Sequence, residues 1–261
     1  MSATAIARSA LSGAVGAAVD GPTAPVRPGA RAAELQVAGL TRMSGCDWPG
    51  RLAATVFLQG CPWNCAYCHN PDLIPTRTPG LHAWQDVLEF LTGRVGLLDG
   101  VVFSGGEPTR QLALGGAIEA VRDLGFGVGL HTSGAYPSRL AAVAGSVDWI
   151  GLDIKAEPDG YADVIRTGGG AAAWRSLDVA LASGADAEVR TTTHPGSAVD
   201  VLALARRLHA AGVRHYALQR ARPEGTREEF AADGVGWDER FARLAEAVGE
   251  VGFERFEVRS G

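Results

Sequence analysis

Short apolar runs and helix-period segments alternate along this chain, and that alternation narrows the fold more than any other feature. Apolar runs at 34–40 and 53–58 flank the turn Asp47-Trp48-Pro49-Gly50 and read as a β-hairpin. Trp84, Val87, Leu88 and Leu91 recur at i, i+3, i+4 and i+7, which predicts a helix over 82–94. Val101, Val102 and Phe103 form a short buried strand, and Leu114, Ile118 and Val121 mark the next helix. Strands then fall near 126–131, 147–154, 186–192, 215–218 and 253–258, separated by helices near 137–144, 173–183, 201–208 and 237–248. Strands alternating with helices at this spacing build βα units around a parallel sheet. A complete eight-fold barrel needs about 250 residues of such repeats. About six units fit this chain, so the expected fold is α/β, a partial (β/α)6 TIM-like barrel or an open sheet.

Composition removes several function classes. Hydrophobic residues make up 46% and charged residues 20% of the 261, the balance of a globular protein rather than a disordered one. No run approaches the ~18–20 apolar residues of a membrane span. With 24 Lys and Arg against 29 Asp and Glu, and no basic cluster, nucleic acid is not an expected partner. Nor is a membrane. Residues 1–33 are rich in Ala, Gly, Ser, Thr and Pro, contain no aromatic residue and read as a disordered tail rather than an export signal, so the expected location is cytoplasmic. The folded domain is expected over 34–261.

Polar and glycine-rich clusters sit where the predicted strands end: QGCPWNC, SGGEP, HTSG, DIK, THPG and QRARPEG. In βα folds the active site gathers at those ends, so this layout is that of an enzyme. Glycine, 35 residues in all, contributes to several of these clusters, where a missing Cβ lets backbone approach a ligand.

Cys61, Cys65 and Cys68 lie at x3 and x2 spacing, with Cys46 well upstream. A chain of this length builds its own core and needs no disulfide scaffold, so the three read as metal ligands. Soft thiolates suit zinc, copper(I) or an iron–sulfur cluster. Structural zinc wants four ligands in paired knuckles, and here only Cys46 or His69 could be the fourth. Cys65-Ala-Tyr-Cys68-His69 also matches the C-x-x-C-H haem attachment pattern, which requires export and leaves Cys61 unexplained. Three local thiolates best suit a cubane cluster with one iron open to a substrate.

The C-x3-C-x2-C loop, with Tyr67 before its last cysteine, resembles the cluster loop of the radical S-adenosylmethionine (radical SAM) superfamily, and Ser104-Gly105-Gly106-Glu107-Pro108 resembles that family's second signature. The resemblance covers 34–261 and implies a partial barrel of radical SAM type. It implies one 4Fe-4S cluster per chain on Cys61, Cys65 and Cys68, with S-adenosyl-L-methionine (SAM) on its fourth iron. It places Tyr67 beside the adenine and Gly105, Gly106 and Glu107 beside the methionine end. His131-Thr132-Ser133-Gly134 resembles a third-strand segment that usually reads Asp-Thr-Asn-Gly, which brings Thr132 and Ser133 to the SAM site and leaves His131 in place of an acid. Asp153 and Lys155 match an Asp-x-Lys motif beside SAM, where Lys155 would meet its carboxylate. His194, Gln219 and Arg222 align only loosely with groove-lining positions, and Cys46 reads as incidental, since one extra thiol cannot hold a second cubane.

The segment 39–75 is similar to the glycyl-radical-enzyme activases, particularly the small activating proteins of anaerobic ribonucleoside-triphosphate reductase. That resemblance implies an oxidoreductase which cleaves SAM reductively and removes a hydrogen atom from a glycine of a partner enzyme. The expected partner is anaerobic ribonucleotide reductase, and the expected electron donor a flavodoxin or ferredoxin. A radical SAM enzyme acting on a small molecule, or a zinc-stabilised interaction module without catalysis, are the alternative readings.

Overall fold

The computed structural model describes residues 32–231 and 233–260. The expected 1–33 tail lies outside these residues apart from Ala32 and Ala33, which open a 3-10 turn, Ala32–Glu34. Eight strands follow in chain order across one sheet: β1 Val37–Ser44, β2 Ala53–Leu58, β3 Gly100–Gly105, β4 Gly127–Thr132, β5 Trp149–Asp153, β6 Asp186–Thr193, β7 His215–Arg220 and β8 Arg255–Ser260. β1 and β2 form the expected antiparallel hairpin, with register shifts at Val37/Gly39 and Thr41/Ser44. From β2 to β8 every neighbouring pair is parallel. The strand order runs from β1 at one edge to β8 at the other without closing, so the barrel is partial.

The crossover helices are α1 Trp84–Thr92, α2 Leu114–Asp123, α3 Pro137–Ala144, α5 Gly170–Ala182, α6 Val201–Ala210 and α7 Trp237–Gly249. A short helix, α4 Tyr161–Ile165, precedes α5 and was not legible as a periodic pattern. Apolar spacing explains the long helices: Trp84, Val87 and Leu91 of α1 are buried, as are Trp237, Phe241 and Val248 of α7. α6 starts where the Asp200 carboxylate accepts the Ala203 N–H at 2.9 Å, an N-cap. Among the described residues no helix is long and apolar enough to cross a membrane.

Two separate apolar clusters hold the fold. One is the large core that includes α1, α2 and α5 residues together with Val56, Val101 and Val128 of the sheet. The other is small: Trp48, Ala53, Val102 and Trp149. Trp48, from the Asp-Trp-Pro-Gly turn, stacks on Trp149 with ring centroids 6.0 Å apart. Room for the two indoles comes from glycines on β3, β4 and β5. A Cβ on Gly129 would stand 3.1 Å from Trp48, and one on Gly151 2.6 Å from Trp149. A turn that is only a hairpin connection in sequence therefore plugs the inner face of the sheet.

Candidate active site at the strand ends

The cysteine loop leaves β2 and is held on several sides by backbone hydrogen bonds. Gly60 N–H donates to Leu73 O at 2.8 Å and Cys61 N–H to Ile74 O at 3.1 Å. Further along, Asn64 and Ala66 N–H donate to Ile165 and Val164 O of α4, both at 3.3 Å. Trp63, between two of the cysteines, packs edge-on against Tyr161 of α4 at 5.6 Å. This is the work of the helix that sequence periodicity missed.

Gly105 and Gly106 bring the end of β3 against the start of this loop. Gly106 N–H donates to Leu58 O, and Glu107 N–H to Gly60 O, both at 2.9 Å. Gly105 has φ +112°, and a Cβ there would lie 2.3 Å from Leu58 N; a Cβ on Gly106 would lie 2.6 Å from Gly60 O. Both positions require glycine because two backbones meet there. The sequence motif thus has a reason internal to the fold, whatever it meets outside.

Glu107 is completely buried and ties two rim loops together. Its Oε1 accepts from Thr109 N–H (3.0 Å), Thr109 Oγ1 (2.5 Å) and Thr132 Oγ1 (2.8 Å). Its Oε2 accepts from Ser133 N–H (2.8 Å) and Ser133 Oγ (2.5 Å). The Thr132 and Ser133 side chains are thus engaged with Glu107 rather than left free.

His131 sits beneath them with Nε2 2.7 Å from Asp47 O and Nδ1 3.2 Å from Ser104 Oγ. A carbonyl can only accept, so Nε2 carries the proton; burial disfavours a second proton on Nδ1, and in the neutral ring Nδ1 accepts from Ser104. Burial, with Arg190 nearby, pushes its pKa down to about 3.

The β5–β6 side is charged. Asp153 Oδ2 lies 3.2 Å from Lys155 Nζ, and its Oδ1 2.8 Å from Arg190 Nε. Burial works against the Asp153 charge, yet Arg190 and Lys155 hold the carboxyl well below the usual carboxylate range. Burial likewise opposes the charge on Lys155, and the Asp153 carboxylate beside it keeps it protonated. Lys155 Nζ stands 5.4 Å from the centroid of the Tyr67 ring, which it faces.

Cys61, Cys65 and Cys68 are free thiols, each half-buried. Burial, reinforced by Glu107, pushes the Cys61 thiol up to about 12; burial also raises Cys65, opposed by Lys155. The groups acting on these thiols come from the ends of β3 and β5, so the sequence-predicted motifs converge around one loop. Among the described residues no three His, Cys, Asp or Glu side chains stand close enough to share a single metal ion. Three free thiols on one loop suit a polynuclear cluster, in which each thiolate binds a different iron.

Beside the loop lies a cavity of about 390 Å3, within the size range of small-molecule sites. Tyr67, Lys155, Thr192 and His194 are among its lining residues. The Tyr67 hydroxyl is buried without a hydrogen-bond partner, an orphan of the kind a ligand satisfies. His194 packs between Tyr67 and Phe230, at 5.8 and 5.1 Å. Gln219 accepts from Thr192 Oγ1 at 3.2 Å, and Arg222 is exposed. Cys46 is exposed in the hairpin turn, its Sγ 3.4 Å from Ser44 Oγ. A more open hollow of about 440 Å3, bordered by Arg110, Tyr136 and Arg139, contains none of the sequence-predicted site residues.

A half-open parallel barrel with a three-thiol loop at the strand ends defines a class, and comparison with known proteins agrees. The model of the Radical SAM superfamily matches residues 55–214, and the chain belongs to that superfamily. Its cofactors are those of the family, a 4Fe-4S cluster and SAM, and it is an enzyme. A Methanocaldococcus jannaschii protein named as a glycyl-radical enzyme activating enzyme is 30% identical over 137 residues, covering 50% of this chain and 54% of that one. The pyruvate formate-lyase-activating enzyme of Clostridium pasteurianum is 30% identical over 132 residues, covering 48% and 55%. The chain thus spans about half the length of the curated relatives it matches. Streptococcus suis SuiB bound to S-adenosylmethionine shares the fold, with a TM-score of 0.58 at 10% identity over 78% of this chain and 48% of that one.

Proposed function

We propose that this enzyme is a glycyl-radical-enzyme activase, with Cys61, Cys65 and Cys68 as the cluster ligands. The observation that carries the ligand assignment is the placing of three free thiols on one rim loop beside a cavity with an orphaned tyrosine hydroxyl. Held by these three thiolates, a 4Fe-4S cluster would supply the electron for reductive cleavage of SAM, the chemistry by which the enzyme would take a hydrogen atom from a glycine of its partner.

The chain's own residues bind and orient. Tyr67 offers a ring face and a hydroxyl to the adenosyl group, and Lys155, protonated beside Asp153, offers charge to a carboxylate. Gly105 and Gly106 present backbone at the loop's edge, while Glu107 fixes Thr132 and Ser133 so that the rim keeps its shape. The open edge between β1 and β8 admits a peptide loop of the partner.

The names of the relatives support a glycyl radical enzyme as partner. The 39–75 segment supports anaerobic ribonucleotide reductase in particular, with a flavodoxin or ferredoxin as donor. The test is an anaerobic electron paramagnetic resonance spectrum of the reconstituted enzyme with dithionite, SAM and that reductase. A SAM-dependent glycyl doublet is expected with the wild type and none with Cys65→Ala. 5′-Deoxyadenosine without a doublet, from wild-type enzyme, rejects this partner and leaves the radical chemistry. A normal doublet from Cys65→Ala overturns the ligand assignment.

A further inference from the structure

The segment after β7, residues 222–230, has no apolar period; its first four residues belong to the QRARPEG cluster, and the rest carry no sequence-predicted role. In the fold it crosses to the cysteine loop from more than 150 residues away in sequence. His69 Nδ1 lies 3.2 Å from Glu224 O. Gly225, at φ +79°, lies so near that a Cβ there would stand 2.5 Å from His69 O. Arg227 donates through Nη1 to the Cys65 carbonyl at 3.1 Å and through Nη2 to Asn64 Oδ1. Phe230 closes the strap against His194, which in turn packs on Tyr67.

Arg227 stands apart from the other contacts of this loop. Among the described residues it is the one cationic side chain hydrogen-bonded to the backbone of 61–68, and no carboxylate pairs with it. Its two donors hold the peptide of the central cysteine and a side chain one residue before it, a fork that lysine cannot reproduce. A half-buried guanidinium with no acidic partner complements a loop that becomes anionic when its thiolates carry a cluster.

We propose that the 222–230 strap is a clamp on the cysteine loop and that Arg227 is a positioning residue whose fixed charge favours reduction of the cluster. The inference rests on the reading of Cys61, Cys65 and Cys68 as cluster ligands and adds a residue outside that set. Nearby charge and hydrogen bonding are the levers by which a protein sets an iron–sulfur potential.

The experiment compares wild type, R227K and R227Q as full chains, reconstituted anaerobically without SAM. Iron per chain, the cluster midpoint potential and amide exchange of the metal-free proteins are measured. R227Q is expected to shift the midpoint to lower potential and to speed amide exchange over 64–69; R227K is expected to speed exchange but to keep most of the potential. An R227Q protein with a full cluster and the wild-type midpoint overturns the proposal. Should R227Q hold no cluster, exchange in its metal-free form decides: wild-type protection over 64–69 overturns the clamp, and lost protection with a folded core supports it. A wild type that holds no cluster would instead refute the ligand reading beneath it.

Discussion

Two halves of the rim immobilise a carboxylate in opposite ways. At β3–β4, Glu107 receives five hydrogen bonds, all from neutral donors: two backbone N–H groups and three hydroxyls. At β5–β6, Asp153 is flanked by two cations, Lys155 and Arg190. The first arrangement is directional and fixes loop geometry; the second is a field that also reaches Tyr67 and the thiol of Cys65. The neutral half keeps even its histidine uncharged, since burial holds down the pKa of His131 where it bridges Asp47 and Ser104. Shape is set on one side of the site and charge on the other.

Substitutions at the two carboxylate clusters separate these modes. Glu107→Gln is isosteric yet should be the most damaging. Whichever way the amide turns, its NH2 meets the N–H of Thr109 or Ser133, neither of which can reverse. A loss of about 3 kcal/mol is expected in urea denaturation, and a wild-type midpoint would break the neutral-donor account. Arg190→Gln leaves Asp153 with Lys155, so a loss of about 2 kcal/mol is expected at neutral pH. Because the folded Asp153 titrates below its unfolded value, its stabilisation is present above the ordinary carboxylate pKa of about 4 and fades as pH falls below it. Arg190→Gln should therefore flatten the acid limb of the stability curve, and an unchanged limb would break the ion-pair account. The smallest effect at neutral pH belongs to His131. Unfolded histidine takes its proton near pH 6.5 and the folded ring only near 3, so His131 weakens the fold as pH drops between them. Nitrogen NMR at pH 5 should still show the Nε2–H tautomer, and an imidazolium signal would overturn its neutral assignment.

Much of the architecture was legible in the sequence, because apolar periods of two and 3.6 report burial directly. The helix expected over 137–144 is α3, Pro137–Ala144, and the strand expected near 186–192 is β6. The helix expected over 82–94 begins at Trp84, since Ala83 is extended and serves as its N-cap. The first strand runs Val37–Ser44 rather than 34–40, carried past Leu40 by irregular pairing that no alternation announces. α4 is five residues long, too short for a period to show. Motif spacing singled out residues that the fold brings to one rim; contacts between elements distant in sequence were not legible. Arg227 is one arginine in an irregular stretch, and only the return of the chain to Cys65 distinguishes it. Arg190 likewise reads as a mid-strand residue until Asp153 is seen beside it. The motif singled out Glu107, but its hydrogen-bond partners were not legible, because Thr132 and Ser133 reach it across a helix's worth of sequence.

The indole of Trp48 has a consequence for how the chain is made. It leaves the ribosome about a hundred residues before Trp149, the ring it stacks on. Until β5 is synthesised, the indole has only the glycine shelf of β3 and β4 and Val102 to rest on, and its other ring partner is missing. A nascent chain paused before residue 149 is thus a hazard for aggregation and a substrate for holding chaperones. Once β5 arrives the indole stack has all its members, none of which comes from β6, β7 or β8.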